Sequence, residues 1–252
     1  MTAISILLPS IRPELAKQRI SEFAEHIHQI DYEVVLVSPF SVDLPRVVHI
    51  QENERRGVIH AMNEAYKAAS GEMVVLWSDD AKIQPQAIEN IVKFTKSQDG
   101  LFAAGFRKKD ETGRESEQWS VYGKLYVGWL CATKKTIDAA GGLFDPVFRN
   151  YWADPDLSLR IHAMGGSVQV CQNAWIEIAQ AEDVVKQANL ASSFEKDTET
   201  FFAKWHPFLG RKRRCEWWEI NTPIPYDFKG RVKSVLRKIP FLKKLKDACS
   251  GL

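Results

Sequence analysis

Apolar residues along this chain recur with two periods. Apolar-rich runs at Ile4–Leu8, Tyr32–Val37 and the shorter Val47–Ile50 predict strands, and the unbroken run Met73–Trp77 predicts a strand covered on both faces. Between them apolar residues fall at helical spacing. Glu14–Ile30 carries Leu15, Ile20, Phe23, Ile27 and Ile30; Gly57–Ser70 carries Val58, Ala61, Met62, Ala65 and Ala69; a third helix is predicted over 86–97. Gly71 stands where a glycine just past a helix end would stop the second of these. Strands alternating with helices predict a mainly parallel, doubly wound α/β sheet.

The pattern changes after residue 100. Residues 101–126 are richer in turn-forming and charged side chains, and Lys108–Gly113 reads as a hairpin tip or loop. Leu125–Thr133 is predicted as one strand and Lys134–Ala140 as a short helix ending at Gly141-Gly142. Leu157, Leu159, Ile161 and Met164 form the buried side of a further helix, with Asp154 near its start, where the dipole favours a carboxylate, and Pro155 suited to its first turn.

Charge divides the chain unevenly. Residues 229–252 hold eight basic side chains against Asp247 alone, a net +7, which leaves −5 on residues 1–228 of a chain whose formal charge is +2. Val232, Val235, Leu236 and Ile239, then Phe241, Leu242, Leu245 and Ala248 beyond Pro240, make this tail a pair of basic amphipathic helices. Such helices bind anionic membrane surfaces, although a docked helix or a solvated tail fits the same residues. No recognised nucleic-acid motif accompanies the charge, so nucleic acid is not expected as a partner. The four cysteines form no CxxC pair, which points to a reduced compartment without structural zinc. The N-terminus lacks the basic region and apolar length of a signal peptide, and no apolar window is long enough to span a bilayer. A cytoplasmic protein, peripheral at the inner face of the cell membrane, is therefore expected.

The chemistry concentrates where the Met73–Trp77 run ends in Ser78-Asp79-Asp80. Open α/β sheets bind ligands at the carboxyl ends of their strands, and paired carboxylates suit a hard cation and the phosphates it carries. The same two residues would also serve as a cap or turn. The chain has neither a GxGxxG after its first strand nor a GxxxxGK[ST], so neither a dinucleotide fold nor a P-loop is supported. Trp129 and Trp152 lie in the second half, where large aromatic rings could face a ligand or fill a core.

In order, Pro9-Ser10 with Arg12, Arg56-Gly57 with Asn63, Gly71-Glu72, Ser78-Asp79-Asp80 with Pro85, Gly141–Asp145, and Asp154-Pro155-Asp156-Leu157 with Arg160 resemble the family-2 glycosyltransferases of GT-A fold, over about residues 3–180. The resemblance implies a Rossmann-like, mixed but mostly parallel sheet flanked by helices in residues 1–210. Residues 1–100 would bind the nucleotide-sugar, residues 101–210 the acceptor, and residues 211–252 would form the basic amphipathic extension. It implies inverting transfer of a sugar from a UDP- or dTDP-linked donor to a glycan or lipid-linked acceptor, as in bacterial surface-polysaccharide assembly, assisted by Mn²⁺ or Mg²⁺. Pro9, Ser10, Arg12, Arg56, Gly57, Asn63, Ser78, Asp79 and Asp80 would hold the nucleotide-sugar. Asp80 and Glu177 would bind the metal, Asp154 would be the general base, and Trp129, Trp152 and Asp156 would face the acceptor. This sequence departs from the family pattern in three places: Ser78 replaces the first Asp of the DxD-type signature, Ala153 replaces a Glu beside the base, and Ser38-Pro39-Phe40 replaces an acidic base-reading segment, with Glu33 and Asp43 as substitutes. These losses keep a second class in view, a binding or scaffold protein on the same fold. A nucleotidyltransferase is disfavoured, because LLPSIRPE lacks the glycine-rich basic loop of that class.

Overall fold

The structure, a computed structural model, describes residues 2–116, 118–179, 184–209 and 221–224. The tail 229–252, the RKRR run at 211–214 and Trp217-Trp218 lie outside the described residues.

The strands are β1 (Ile4–Pro9), β2 (Tyr32–Ser38), β3 (Val47–Gln51), β4 (Met73–Leu76), β5 (Ala81–Ile83), β6 (Phe102–Asp110), β7 (Gln118–Val121), β8 (Lys124–Tyr126), β9 (Leu130–Thr133), β10 (Ser167–Ile178) and β11 (Asn221–Ile224). The helices are α1 (Pro13–His26), α2 (Val58–Ala68), α3 (Ala87–Lys96), α4 (Lys134–Ala139), α5 (Ala153–Ala163) and α6 (Val184–Leu209). Eight strands form the main sheet in the order β3-β2-β1-β4-β9-β6-β10-β5, and β11-β7-β8 form a small antiparallel one. β3, β2, β1 and β4 are parallel, β9 runs against β4 and β6, and β10 is parallel to β6. This is the mixed, mostly parallel sheet expected.

The continuous apolar runs are explained by a core on each face of the sheet. Ile4, Ile6 and Leu8 point to one face with Phe23 of α1 and Ile88 and Ile91 of α3. Leu7, Val35, Val74 and Leu76 point to the other, against Ala61, Met62 and Ala65 of α2 and Leu157 and Ile161 of α5. With both faces covered, the polar positions along β1, β2 and β4 are few and satisfied: the Ser5 hydroxyl of β1 donates to Glu33 of β2, and Ser38 closes on Phe40 and His49.

Four local expectations are revised. Helix α1 stops at His26, because Ile27 is already extended and buried. Gly71 is not a left-handed stop: α2 ends through extended Ala69, and Gly71 is needed because a Cβ there would lie 2.6 Å from the Ile4 carbonyl carbon. The charged stretch at 107–110 is strand, with the turn confined to residues 110–113, where the Asp110 carboxylate accepts from the Thr112 and Arg114 N–H groups. The single strand expected over 125–133 is two, β8 and β9, parted at Gly128, where an added Cβ would lie 3.3 Å from an Asp154 carboxylate oxygen.

Helix α6 was not foreseen. Its buried positions Ser193, Asp197, Phe201 and Trp205 recur every fourth residue. Phe201 stacks on Trp152 with ring centroids 4.6 Å apart. The buried Asp197 carboxylate accepts from three consecutive backbone N–H groups, those of Arg149, Asn150 and Tyr151. Strand β11, inside the segment expected to stand apart as an extension, returns to pair with β7.

Asp197 should therefore be the principal tie between α6 and the 149–151 loop. Asp197→Ala is expected to cost about 2–3 kcal/mol, since it leaves charge-assisted bonds unmade on buried donors. Asp197→Asn, which keeps one acceptor oxygen, should cost less. Urea denaturation with an unchanged slope checks both; equal stabilities of wild type and Asp197→Ala would contradict the assignment.

Candidate active site

The carboxyl ends of β1, β2 and β4 open into a cavity of about 670 Å³, lined by residues from distant parts of the chain. Pro9, Ser10 and Arg12 come from the turn after β1, and Ser78, Asp79 and Asp80 from the turn after β4. Glu52, Arg55 and Gly57 follow β3, while Arg149, Asn150, Tyr151 and, from α6, Val185, Lys186 and Asn189 close the far wall. Trp129 also reaches it.

The floor is fixed by hydrogen bonds. Trp77 is buried, its ring edge-on to Phe23 and Phe106, and its Nε1 donates to the Ala81 carbonyl, tightening the turn that carries the two carboxylates. Asp79 accepts from the Ser10 hydroxyl at 2.5 Å and from both Nε and Nη2 of Arg12, a bidentate pair joining the β1 and β4 turns. Asp80 accepts from the Ser78 hydroxyl at 2.5 Å, and its other oxygen meets the Lys186 ammonium at 2.8 Å. Burial alone would raise the Asp80 carboxyl, but Lys186 and Ser78 outweigh it and hold the group below the usual carboxylate range. The Ser78 hydroxyl also accepts from Trp129 Nε1 at 3.0 Å.

Asp154 is partly buried in the first turn of α5, close to Gly128 and outside the cavity lining. Burial pushes its carboxyl up to about 6, against the opposing pull of its own backbone N–H and of Lys108. Lys108, whose ammonium lies 5.8 Å from the Trp129 ring centroid, is itself lowered by burial and held up by Asp154. Trp129 thus meets both Ser78 of the acidic turn and Lys108, which in turn acts on the raised carboxyl of Asp154.

Of the residues named from sequence, Pro9, Ser10, Arg12, Gly57, Ser78, Asp79, Asp80 and Trp129 are brought to one cavity. The others stand elsewhere. Arg56 is exposed and reaches His60, and Asn63 clasps the Phe144 backbone through both its amide atoms. Trp152 is buried on Phe201 and donates to Thr198, so its face is not open to an acceptor. Asp156 is wholly buried, its oxygens taken by Arg160, Lys204 and Trp205. Glu177 pairs with Lys82 at 3.0 Å across β10 and β5. Glu33 sits at the opposite end of the strands, bound to Ser5 and Ser70, and Asp43 is exposed; the carboxylate that does reach the cavity is Glu52, raised by burial against the pull of Arg55. Lys186, Arg149 and Glu52 were not anticipated. The four-residue repeat of α6 and an acidic residue directly after a strand were the signals available.

The divalent ion implied by the resemblance finds little here. Both oxygens of Asp79 and both of Asp80 already have partners, and Ser78 cannot carry a negative charge. Among the described residues no three His, Cys, Asp or Glu side chains are grouped to hold a metal. The residues present do not fit the ion.

Residues 29–144 match the model of glycosyl transferase family 2. A search of curated proteins returned no match. Among solved structures, this chain is similar to GalNAc-T7 with UDP, GalNAc and Mn²⁺, at 12% identity and a TM-score of 0.59 over 81% of this chain and 50% of that one. It is similar to the mannosyltransferase PcManGT from Pyrobaculum calidifontis in complex with GDP-Man and Mn²⁺, at 18% identity and 0.61 over 80% and 64%. It is also similar to S. aureus TarS 1-349 in complex with UDP-GlcNAc, at 13% identity and 0.58 over 82% and 73%. The chain thus spans half the length of the first and less than two thirds of the second. The shared architecture is the curled, mainly parallel sheet with its flanking helices. Residues 29–144 are thus similar to glycosyl transferase family 2, within a chain that has the GT-A fold.

Proposed function

We propose that the protein transfers a sugar from a nucleoside diphosphate donor to an acceptor hydroxyl with inversion, and that the cavity above Asp79-Asp80 is the donor site. The observation that carries this reading is the composition of that cavity: Arg12, Arg55, Arg149 and Lys186 converge on the carboxyl ends of parallel strands, where phosphate-bearing ligands bind in open α/β sheets. The solved neighbours hold UDP, GDP-Man and UDP-GlcNAc, which supports a nucleotide-linked donor and leaves its base open. Glu52, beside Val37 and Arg55, would read the hydrogen-bond donors of that base.

In the transfer the acceptor oxygen forms its bond to the anomeric carbon as the glycosyl–phosphate C–O bond breaks. The electron pair leaves with the diphosphate, and the acceptor proton passes to a base. Asp154 suits the last role, since a carboxyl near 6 is mostly ionised at neutral pH yet basic enough to take a proton. Cationic side chains set in advance around the leaving oxygens lower the cost of the charge that develops there. The net +7 of residues 229–252 supports an acceptor presented at an anionic membrane surface, as a lipid-linked glycan of a bacterial envelope would be.

Calorimetric titration of UDP, GDP, CDP and dTDP in buffer containing Mn²⁺ tests the donor site. One of them is expected to bind with a Kd below about 1 mM, and Asp80→Ala should weaken it at least tenfold. Failure of all four to bind would overturn the proposal. A second test concerns the base. Because a protonated Asp154 cannot accept, kcat/KM should fall on the acid side with an apparent pKa of about 6. Asp154→Asn should keep nucleotide affinity while losing about 10²–10⁴ in kcat. Full turnover by Asp154→Asn would remove Asp154 from the mechanism.

A further inference from the structure

We infer that Lys186 takes the place of a divalent cation at Asp80, so that donor binding in this protein needs no metal ion. The inference rests on the donor-site reading above and deepens it.

The argument is one of charge and of lone pairs. A magnesium-type ion in a phosphate-transfer site is held by one or two carboxylates together with substrate phosphates. The Asp79 carboxylate is not free to serve, because Arg12 engages both its oxygens and Ser10 donates to one of them. Asp80 is the remaining carboxylate on the turn, and its two oxygens are taken by the Ser78 hydroxyl at 2.5 Å and Lys186 Nζ at 2.8 Å. The Ser78 hydroxyl donates to Asp80 and accepts from Trp129, which spends its proton and one lone pair. Arg12 and Lys186 together already neutralise the two carboxylates of the turn before any ligand arrives. A dication would gain a single carboxylate ligand there and would share it with an ammonium ion 2.8 Å away, whose charge repels it.

The placement of Lys186 also suits a phosphate contact. It lies in the first turn of α6 and lines the cavity, and its side chain keeps 41% exposure, while that of Asp80 keeps 14%. Lys186 Nζ also donates to the Ala179 carbonyl at 3.4 Å, so the ammonium is fixed over Asp80 and its charge is set at the cavity wall, where a diphosphate would meet it. Around the whole cavity four cationic side chains face three carboxylates, Glu52, Asp79 and Asp80, which leaves a positive excess for an anionic ligand. As the glycosyl–phosphate bond breaks, the charge left on the diphosphate is met by Lys186, Arg12 and Arg149. Replacing the first carboxylate of the signature by Ser78 then follows: a third acidic group on the turn would exceed the two cations that pair with it, Arg12 and Lys186, and would cancel the positive excess of the cavity.

The experiment is titration of UDP, GDP, CDP and dTDP into the full chain, once in EDTA and once in Mn²⁺, with wild type, Lys186→Met and Lys186→Arg, each checked for folding by thermal melting. Wild type is expected to bind its nucleotide with affinities in EDTA and Mn²⁺ that agree within about twofold. Lys186→Met should bind at least tenfold more weakly in EDTA, and Lys186→Arg should recover most of that loss. A wild type that loses tenfold or more in EDTA would overturn the inference and leave the donor site standing. So would a Lys186→Met variant that binds as well as wild type in EDTA. Should Lys186→Met fail to fold, the EDTA and Mn²⁺ arms of wild type still decide the matter, and no binding under either condition would overturn the donor site and the inference together.

Discussion

The site depends first on the buried carboxylate of Asp79. By accepting from Ser10 and from Nε and Nη2 of the Arg12 guanidinium, it joins the turn after β1 to the turn after β4. Arg12 is also the residue from which α1 begins, so the same interaction sets where that helix leaves the sheet. A carboxylate at 5% exposure would be costly if left alone, and a bidentate guanidinium with a hydroxyl is the combination that satisfies it. Trp77, wedged between Phe23 and Phe106, then holds the acidic turn from beneath. Two strand ends become one rigid floor.

The far wall is built differently. The 149–151 loop has no regular structure, and its backbone donors are gathered by Asp197 of α6. Gly57 lets that loop approach α2, since a Cβ there would lie 2.5 Å from the Arg149 carbonyl oxygen. Farther along the helix, Lys204 ties to Asp145 and Asp156, so α6 is fastened along its length while its first turn offers Lys186 to the cavity. Floor and wall meet in the Asp80–Lys186 pair, which makes that pair sensitive to both halves of the structure.

Much of this was legible from sequence, for physical reasons. Strands buried on both faces must be mostly apolar, so β1, β2 and β4 declare themselves, and the acidic turn stands out against the run that precedes it. Strand β6 does not, because past Gly105 it carries Arg107, Lys108, Lys109 and Asp110, of which the first pairs with Glu115 and the second faces Trp129. Local patterns also failed for residues whose role is set by distant partners. Asp156 reads as a site carboxylate beside Asp154 but is buried against Lys204 and Trp205, forty-eight and forty-nine positions along the sequence. Lys186 meets Asp80 from more than a hundred positions away, and only the fold brings them together. Gly71 and Gly57 were recognised as glycines with a purpose, yet the purpose was close approach of another backbone, which periodicity does not encode.

The most direct test of the account is a crystal structure of the full chain with whichever nucleoside diphosphate binds it. The account predicts the diphosphate within hydrogen-bond reach of Lys186 Nζ and of the Arg12 or Arg149 guanidinium, with the base against Val37 and Glu52. A nucleotide seated away from the Asp79-Asp80 turn, or one whose phosphates touch none of those three cations, would contradict it.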